Sequence, residues 1–237
     1  MHFISFETST KNFSLAVSND HKVMRYANRA CGKVLEDCII PFIDRILDRS
    51  GISLKKIDAF AIGLGPGSFT SLRIGLSTVK ALAMALDKPV IGVCTLDIVA
   101  EGVRHLPCDE ICVIMDARRN MVYSALYQRT AEGLKLKGGH CLTPLSVVLD
   151  RVHGRTLFVG DGVQLYRKDI EAAYKACGSK SCQAFFAQEK AGRPQAKHLA
   201  KLVFERLRAK DYDDTGRLQP VYLYAEDCQV DTHARRN

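Results

Sequence analysis

Nowhere in the chain does an apolar run approach the ~20 residues that a membrane-crossing helix needs. The leading MHFISFETSTK has neither the basic start nor the apolar length of a secretory signal. A soluble, cytoplasmic protein is expected. Zinc-finger spacing is also missing. The nine cysteines, an odd number that prevents complete internal pairing, include no CxxC; the closest spacings are Cys108 with Cys112 and Cys177 with Cys182. Cys31, Cys38, Cys94 and Cys112 fall in periodic apolar patterns and read as buried free thiols of a reducing compartment, so no metal site is expected. The seven histidines (2, 21, 105, 140, 153, 198 and 233) contain no pair four apart. Neither HExxH nor HxxxH occurs, which deprives a metallopeptidase reading of its ligands. In GLGPGSFTSLRIGLSTVKALAMAL, residues 63–86, Gly67 is followed by Ser68 where a P-loop requires lysine. Ser68 also stands where the third glycine of GxGxxG belongs.

What is present begins with charge. The formal net charge is +8, from 34 Lys+Arg against 26 Asp+Glu. The excess is scattered over Arg118–Arg119, Lys197–Lys210 and Arg235–Arg236, with no aromatic-interleaved basic stripe. It reads as solvated surface, with direct RNA contact at most weak. Hydrophobic residues are 47 % of the 237, enough to bury a substantial core in one large domain or two modest ones.

The chain opens with three strand-like runs, 3–8, 13–18 and 22–27, separated by short polar turns. A helical pattern covers Val34 to Arg49, with Leu35, Ile39, Phe42, Ile43, Ile46 and Leu47 on one face, Pro41 predicting a kink and Gly51 a stop. Strand 57–64, helix 70–86, strand 90–93 and helix 96–103 follow, an α/β unit with a mixed sheet. The pattern then partly repeats. Strands 111–115 and 121–127 flank the turn DARRN, and a polar bridge carries Gly133, Gly138 and Gly139. Next come a short helix 145–152, a strand 156–159 ending in GDG, and a helix 164–176. Residues 177–194 read as loop, 195–210 as a helix and PVYLY as a last strand or extended segment; beyond Glu226 the tail is polar and reads as frayed. The lobes are placed at 1–103 and 104–237, with the C-terminal segment able to return to the first.

The glycine stretch is read through its helix. Leu72, Leu76, Val79, Ala83 and Leu86 form a heptad-spaced seam, and Ser71, Gly75, Thr78, Ala81 or Leu82, and Ala85 a second, small stripe. A helix apolar or small almost all round is covered on more than one side, by its own core or by a partner helix. Gly75 costs roughly 1 kcal/mol of helix stability relative to alanine, which implies close packing. Arg73 sits in the first turn against the macrodipole, which an acidic group or phosphate nearby, from this chain or another, would offset. The loop itself either caps the helix through Ser68 or Thr70 or holds an anion on its amides.

GLGPGSFTSLRIGLSTVKALAMAL followed by KPVIGVCTL resembles the bacterial TsaB/YeaZ family, accessory proteins of tRNA threonylcarbamoyladenosine synthesis. ISFETSTKNFSLAV, DARRNMVY, FVGDGV and the terminal PVYL match in the same order, so the resemblance spans almost the whole chain. It implies an α/β, actin/Hsp70/sugar-kinase-like (ASKHA) fold with two related lobes and mixed sheets. It implies a non-catalytic subunit that binds the threonylcarbamoyl transferase (TsaD-type), with a TsaE-type ATPase and the threonylcarbamoyl-AMP synthase in the same pathway, and a homodimer when alone. The interface would lie on the helices at about 34–49 and 70–86: Ile39, Phe42, Ile43, Ile46, Leu72, Arg73, Gly75, Leu76, Val79, Ala83 and Leu86. The catalytic paralogue's HxxxH is absent here, and no catalytic residue is expected. Superfamily phosphate and nucleoside contacts would fall on Glu7, Thr8, Ser9 and Thr10, on Asp116 and Arg118, and on Gly160, Asp161 and Gly162. Glu7 stands where Asp is usual, a displacement that magnesium tolerates badly. No cofactor is required on this reading, and ATP or ADP binding is weak or shared with the partner. The competing reading is an ATP-dependent small-molecule kinase of the same fold, with Glu7 or Asp116 as its carboxylate.

Overall fold

The stretch HFISFE forms β1 (His2–Glu7), buried along almost its whole length because a strand lies on each edge and helices lie on each face. The computed structural model describes residues 1–30, 35–179 and 182–223. Cys31, Val34, Arg235–Arg236 and the tail beyond Glu226 lie outside them. β2 (Asn12–Asn19) and β3 (Val23–Ala30) continue the meander antiparallel, and β4 (Ala59–Gly63) and β5 (Val90–Val93) join parallel on the other side, giving the order β3-β2-β1-β4-β5. Period-two alternation sorts the side chains by size. Ile4, Phe6, Leu15, Phe60 and Ile62 point to α1 (Leu35–Ser50) and α2 (Phe69–Leu86). Ala16, Ala59 and Ala61, with Phe3, point the other way, where small residues let α6 (Ala196–Arg208) lie close on the sheet.

The second sheet repeats the first. β6 (Glu110–Asp116) is central, β7 (Met121–Thr130) and β8 (Gly133–Pro144) run antiparallel on one side, and β9 (Arg155–Val159) and β10 (Gln183–Phe186) run parallel on the other. Cys112, Ile114 and Phe158 face α4 (Leu145–Leu149) and α5 (Gly162–Cys177). Ile111, Val113 and Leu157 face α3 (Thr95–Gly102), whose Leu96 and Val99 join this core while its Ile98 joins the first lobe's. α3 is thus a wedge between two sheets of the same topology. This is the two-lobed ASKHA architecture.

Three sequence expectations are corrected here. The polar bridge at Gly133–Gly139 is the first part of β8, whose partly exposed edge position removes the apolar alternation that marks a strand. β10 and a 3-10 turn, Glu189–Gly192, lie inside the supposed loop 177–194. The helix expected at 145–152 stops at Leu149. PVYL runs extended without joining a ladder, although Val221 N–H donates to Leu64 O at 2.8 Å. α6 and the following segment return to the first sheet: Asp213 N–H bonds Val90 O at 3.0 Å, and its carboxylate accepts from Gly92 N–H at 2.7 Å.

Candidate functional site: a sealed phosphate turn and an exposed helix face

The β1–β2 turn, Glu7-Thr8-Ser9-Thr10, is where the superfamily's phosphate contact would fall. Here Glu7, Thr8 and Ser9 are at most 1 % exposed, and only Thr10 is half-buried. Three glycines close over them. A Cβ on Gly63 would strike the Glu7 carboxylate, one on Gly67 the Ser9 carbonyl, and one on Gly75 the Thr8 side chain. The loop amides have protein acceptors: Gly65 N–H bonds Thr95 Oγ1 at 3.1 Å, and Ser68 N–H bonds Ser9 O at 2.7 Å. The glycines therefore serve backbone packing, and among the described residues they cover Glu7, Thr8 and Ser9. Burial pushes the Glu7 carboxyl above the usual range, against hydrogen bonds from Ser9 and Thr95. Its Oε1 accepts from Ser9 N–H at 2.7 Å; its Oε2 and the hydroxyls of Thr8 and Ser9 make no bond of good hydrogen-bond geometry among the described residues, so the Ser9 and Thr95 side chains help the carboxylate only weakly. Ser68 occupies the N-cap of α2 without a side-chain cap bond; its Oγ lies 3.0 Å from Ser71 Oγ instead.

The structure brings the other five nucleotide candidates together at the ends of β6 and β9. Asp116 N–H donates to Asp161 Oδ1 at 3.1 Å, and Arg118 N–H to Asp116 Oδ1 at 2.9 Å. Arg118, Arg119 and Asn120 are all left-handed, so the Asp116 carboxylate holds an Asx-type turn. Gly160, at φ 119°, lies against the Ile114 backbone, and Gly192 backs onto Gly160 in turn. Asp161 is the N-cap of α5 but directs its carboxylate to β6 rather than to its own helix. The side chains of Asp116 and Arg118 are exposed, so this turn, unlike the first, meets solvent.

On α2 the seam points inward. Leu72, Gly75, Leu76, Val79 and Ala83 are buried in the first lobe's own core, and Leu86 packs beside them. On α1, Ile39, Phe42, Ile43 and Ile46 do the same. Apart from Leu86, which is partly exposed, these side chains are buried within the chain's own first lobe. The physical reason is that a sheet already supplies the apolar cover a heptad seam requires. The exposed face of α2 carries Phe69, Thr70, Arg73, Ser77, Ala81, Met84 and Ala85. Met84 is 77 % exposed, and Ile40 on the neighbouring α1 is 48 % exposed. The small stripe noted in the sequence held Ala81 and Ala85; the signal missed was that a helix covers its strongest seam with its own sheet first. Among the described residues α2 is the one helix long and apolar enough in composition to cross a membrane, and its buried side is committed to the core. Arg73 meets aromatic rings rather than a carboxylate among the described residues. Its guanidinium lies 3.7 Å from the Phe69 ring centre, and its Nε donates to Tyr222 OH at 3.2 Å.

Residues 30–229 match the family model described as TsaD: tRNA N6-adenosine threonylcarbamoyltransferase. The tRNA threonylcarbamoyladenosine biosynthesis protein TsaB of Escherichia coli (strain K12) is 38 % identical over 135 residues, covering 56 % of this chain and 58 % of that protein. This chain thus spans little more than half the length of that relative. The protein of the same description from Bacillus subtilis (strain 168) is 27 % identical over 97 % of each chain. Among solved structures, YeaZ from Pseudomonas aeruginosa superposes with a TM-score of 0.76 at 24 % identity, over 94 % of this chain and 99 % of that one. ROK hexokinase from Thermus thermophilus superposes at 0.53 with 12 % identity, over 88 % and 100 %.

Proposed function

The chain belongs to the TsaB/YeaZ family, within the wider group matched by the TsaD-type family model, and from that premise we propose that it is a non-catalytic subunit of tRNA threonylcarbamoyladenosine synthesis. It binds and supports a TsaD-type transferase in the cytoplasm. The single observation that carries this reading is the filled β1–β2 turn. The position that would meet a nucleotide's phosphates in a kinase of this fold is occupied by the protein's own Gly63–Gly75 segment. A kinase needs that position open, so the scaffold reading is preferred. Any nucleotide the chain takes up enters at the exposed Asp116–Arg118 turn or at a joint site with the transferase. A TsaE-type ATPase joins the same assembly, tRNA is met chiefly through the transferase, and without the transferase two copies pair.

The docking surface is the outward face of α2, extended by Ile40 of α1. Small residues, Ser77, Ala81 and Ala85, allow a partner helix to approach closely, and Met84 supplies an adaptable apolar contact. Deleting the gene and measuring nucleosides in bulk tRNA tests the pathway, with loss of threonylcarbamoyladenosine as the expected result. Met84→Glu and Ala81→Glu test the surface. Both positions are exposed, so the chain should keep its melting temperature while capture of the transferase falls about tenfold or more. Unchanged capture by both variants would remove α2 from the interface. Sustained magnesium-dependent ATP turnover by the isolated chain would overturn the non-catalytic reading.

A further inference from the structure

A second group of polar side chains gathers at the start of α3, in a cleft of about 700 Å³ between the lobes. Cys94 is the N-cap of α3, and Asp97 lies in its first turn. The third member is His140, from β8. Gly138 and Gly139, at φ 73° and 89°, sit at a register shift in the β7–β8 ladder, where Lys137 pairs with Leu126 and Cys141 with Ser124. Three residues of β8 therefore oppose one of β7. Bulges of this kind re-aim a side chain, and this one delivers His140 Nε2 to 2.8 Å from Asp97 Oδ1. One ligand atom from each of Cys94, Asp97 and His140 lies within 4.8 Å of the others. Tyr127 OH donates to Asp97 Oδ1 at 2.6 Å.

We propose that Cys94, Asp97 and His140 bind a zinc-class divalent ion that ties α3 to β8 and keeps a fourth position open to the cleft. Thiolate, imidazole and carboxylate are the three donor types such ions take together. Ligand bonds of about 2.0–2.3 Å at tetrahedral angles separate the donor atoms by about 3.3–3.7 Å. Asp97 and His140 need to part by about half an ångström from their hydrogen-bonded spacing, a rotamer-scale adjustment for two partly exposed side chains. Tyr127 supplies the outer hydrogen bond that ligating carboxylates carry. Sequence spacing hid the set because it contains one cysteine and joins positions in two lobes.

Cobalt(II) titration of the full-length chain, stripped with chelator and kept reduced, tests the assignment, with zinc displacement from a chromophoric chelator giving the stoichiometry. The expected result is one ion per chain and a sulfur-to-cobalt charge-transfer band. That band should vanish in Cys94→Ser and persist in Cys141→Ser and Cys177→Ser. His140→Ala should lose the ion, and Tyr127→Phe should weaken zinc binding about 10–100-fold. Absence of a stoichiometric ion in the wild-type chain, or a charge-transfer band that survives Cys94→Ser, overturns the proposal. The wild-type spectrum alone reports thiolate ligation, so the test stands even where a variant folds poorly.

Discussion

Gly75→Ala sets two calculable effects against each other. In an exposed helix interior the change should stabilise by about 1 kcal/mol, because alanine loses less backbone freedom than glycine. Here the added Cβ would lie 2.7 Å from Thr8 Cγ2 and 3.0 Å from Thr8 Cβ, and closer still to Oγ1. Thr8 has no exposure and is β-branched, and it sits in a turn pinned by the Ser68 N–H bond to Ser9 O, so neither its rotamer nor its backbone gives way easily. Overpacking of this kind costs about 1–3 kcal/mol beyond what relaxation recovers. Set against the propensity gain, this leaves a net destabilisation of up to about 2 kcal/mol. That corresponds to a melting temperature lower by up to about 8 °C in a chain of this size. Thermal unfolding of Gly75→Ala, Thr8→Ala and the double variant measures the contact directly. In the Thr8→Ala background the clash is largely gone, and Gly75→Ala should become neutral or stabilising. A single Gly75→Ala variant that melts higher than wild type would refute the close approach of α2 to the β1–β2 turn, and with it the sealed-site argument. The same contact makes a bulky residue at Gly75 a folding variant rather than a clean probe of docking.

Two further predictions concern acid and base. His198 is 9 % exposed, and its Nδ1 has no partner among the described residues; burial, with Lys197, Lys201 and His105 nearby, holds it down to about 4. Its folded value lies below the unfolded one of about 6.5, so the unfolded chain binds the proton first. Stability should be full above about pH 6.5 and fall by about 2–3 kcal/mol as the pH drops toward 4. Urea unfolding should show a flatter acid limb for His198→Gln, and equal slopes would contradict the assignment. Glu7 has the opposite dependence: burial raises its folded value above the ordinary carboxylate one, so stability is lost as pH rises above the unfolded value. Glu7→Gln keeps an acceptor for Ser9 N–H and removes the charge, which should stabilise the chain at pH 7 by about 1–3 kcal/mol and do little near pH 4. A destabilised Glu7→Gln at pH 7 would mean the carboxylate is held charged by a partner.

The first lobe was readable because its signals are strong and local. FISFET and IDAFAIGL are buried runs, and α1 shows a one-sided stripe that survives Pro41. β8 was not readable, since an edge strand with lysines on its outer face and two left-handed glycines has the composition of a loop. β10 is four residues beside a glycine- and serine-rich stretch, too short for any period to show. The α2 seam was seen but its direction was not: spacing tells which residues share a face, and only the sheet beneath tells what covers it. The meeting of His140 with Asp97 depends on a bulge and on the wedge position of α3, neither of which leaves a mark within one segment of sequence.

The return of α6 to the first sheet has a consequence for synthesis. Residues 2–93 leave the ribosome with Phe3, Ala16, Ala59, Ala61 and Ile91 bare, because the helix that covers them is made of residues 196–208. The second sheet, complete by Phe186, can close while the first still waits. The lobe begun earliest is therefore finished latest, and a nascent chain halted before residue 196 carries an open apolar strip available to wrong partners.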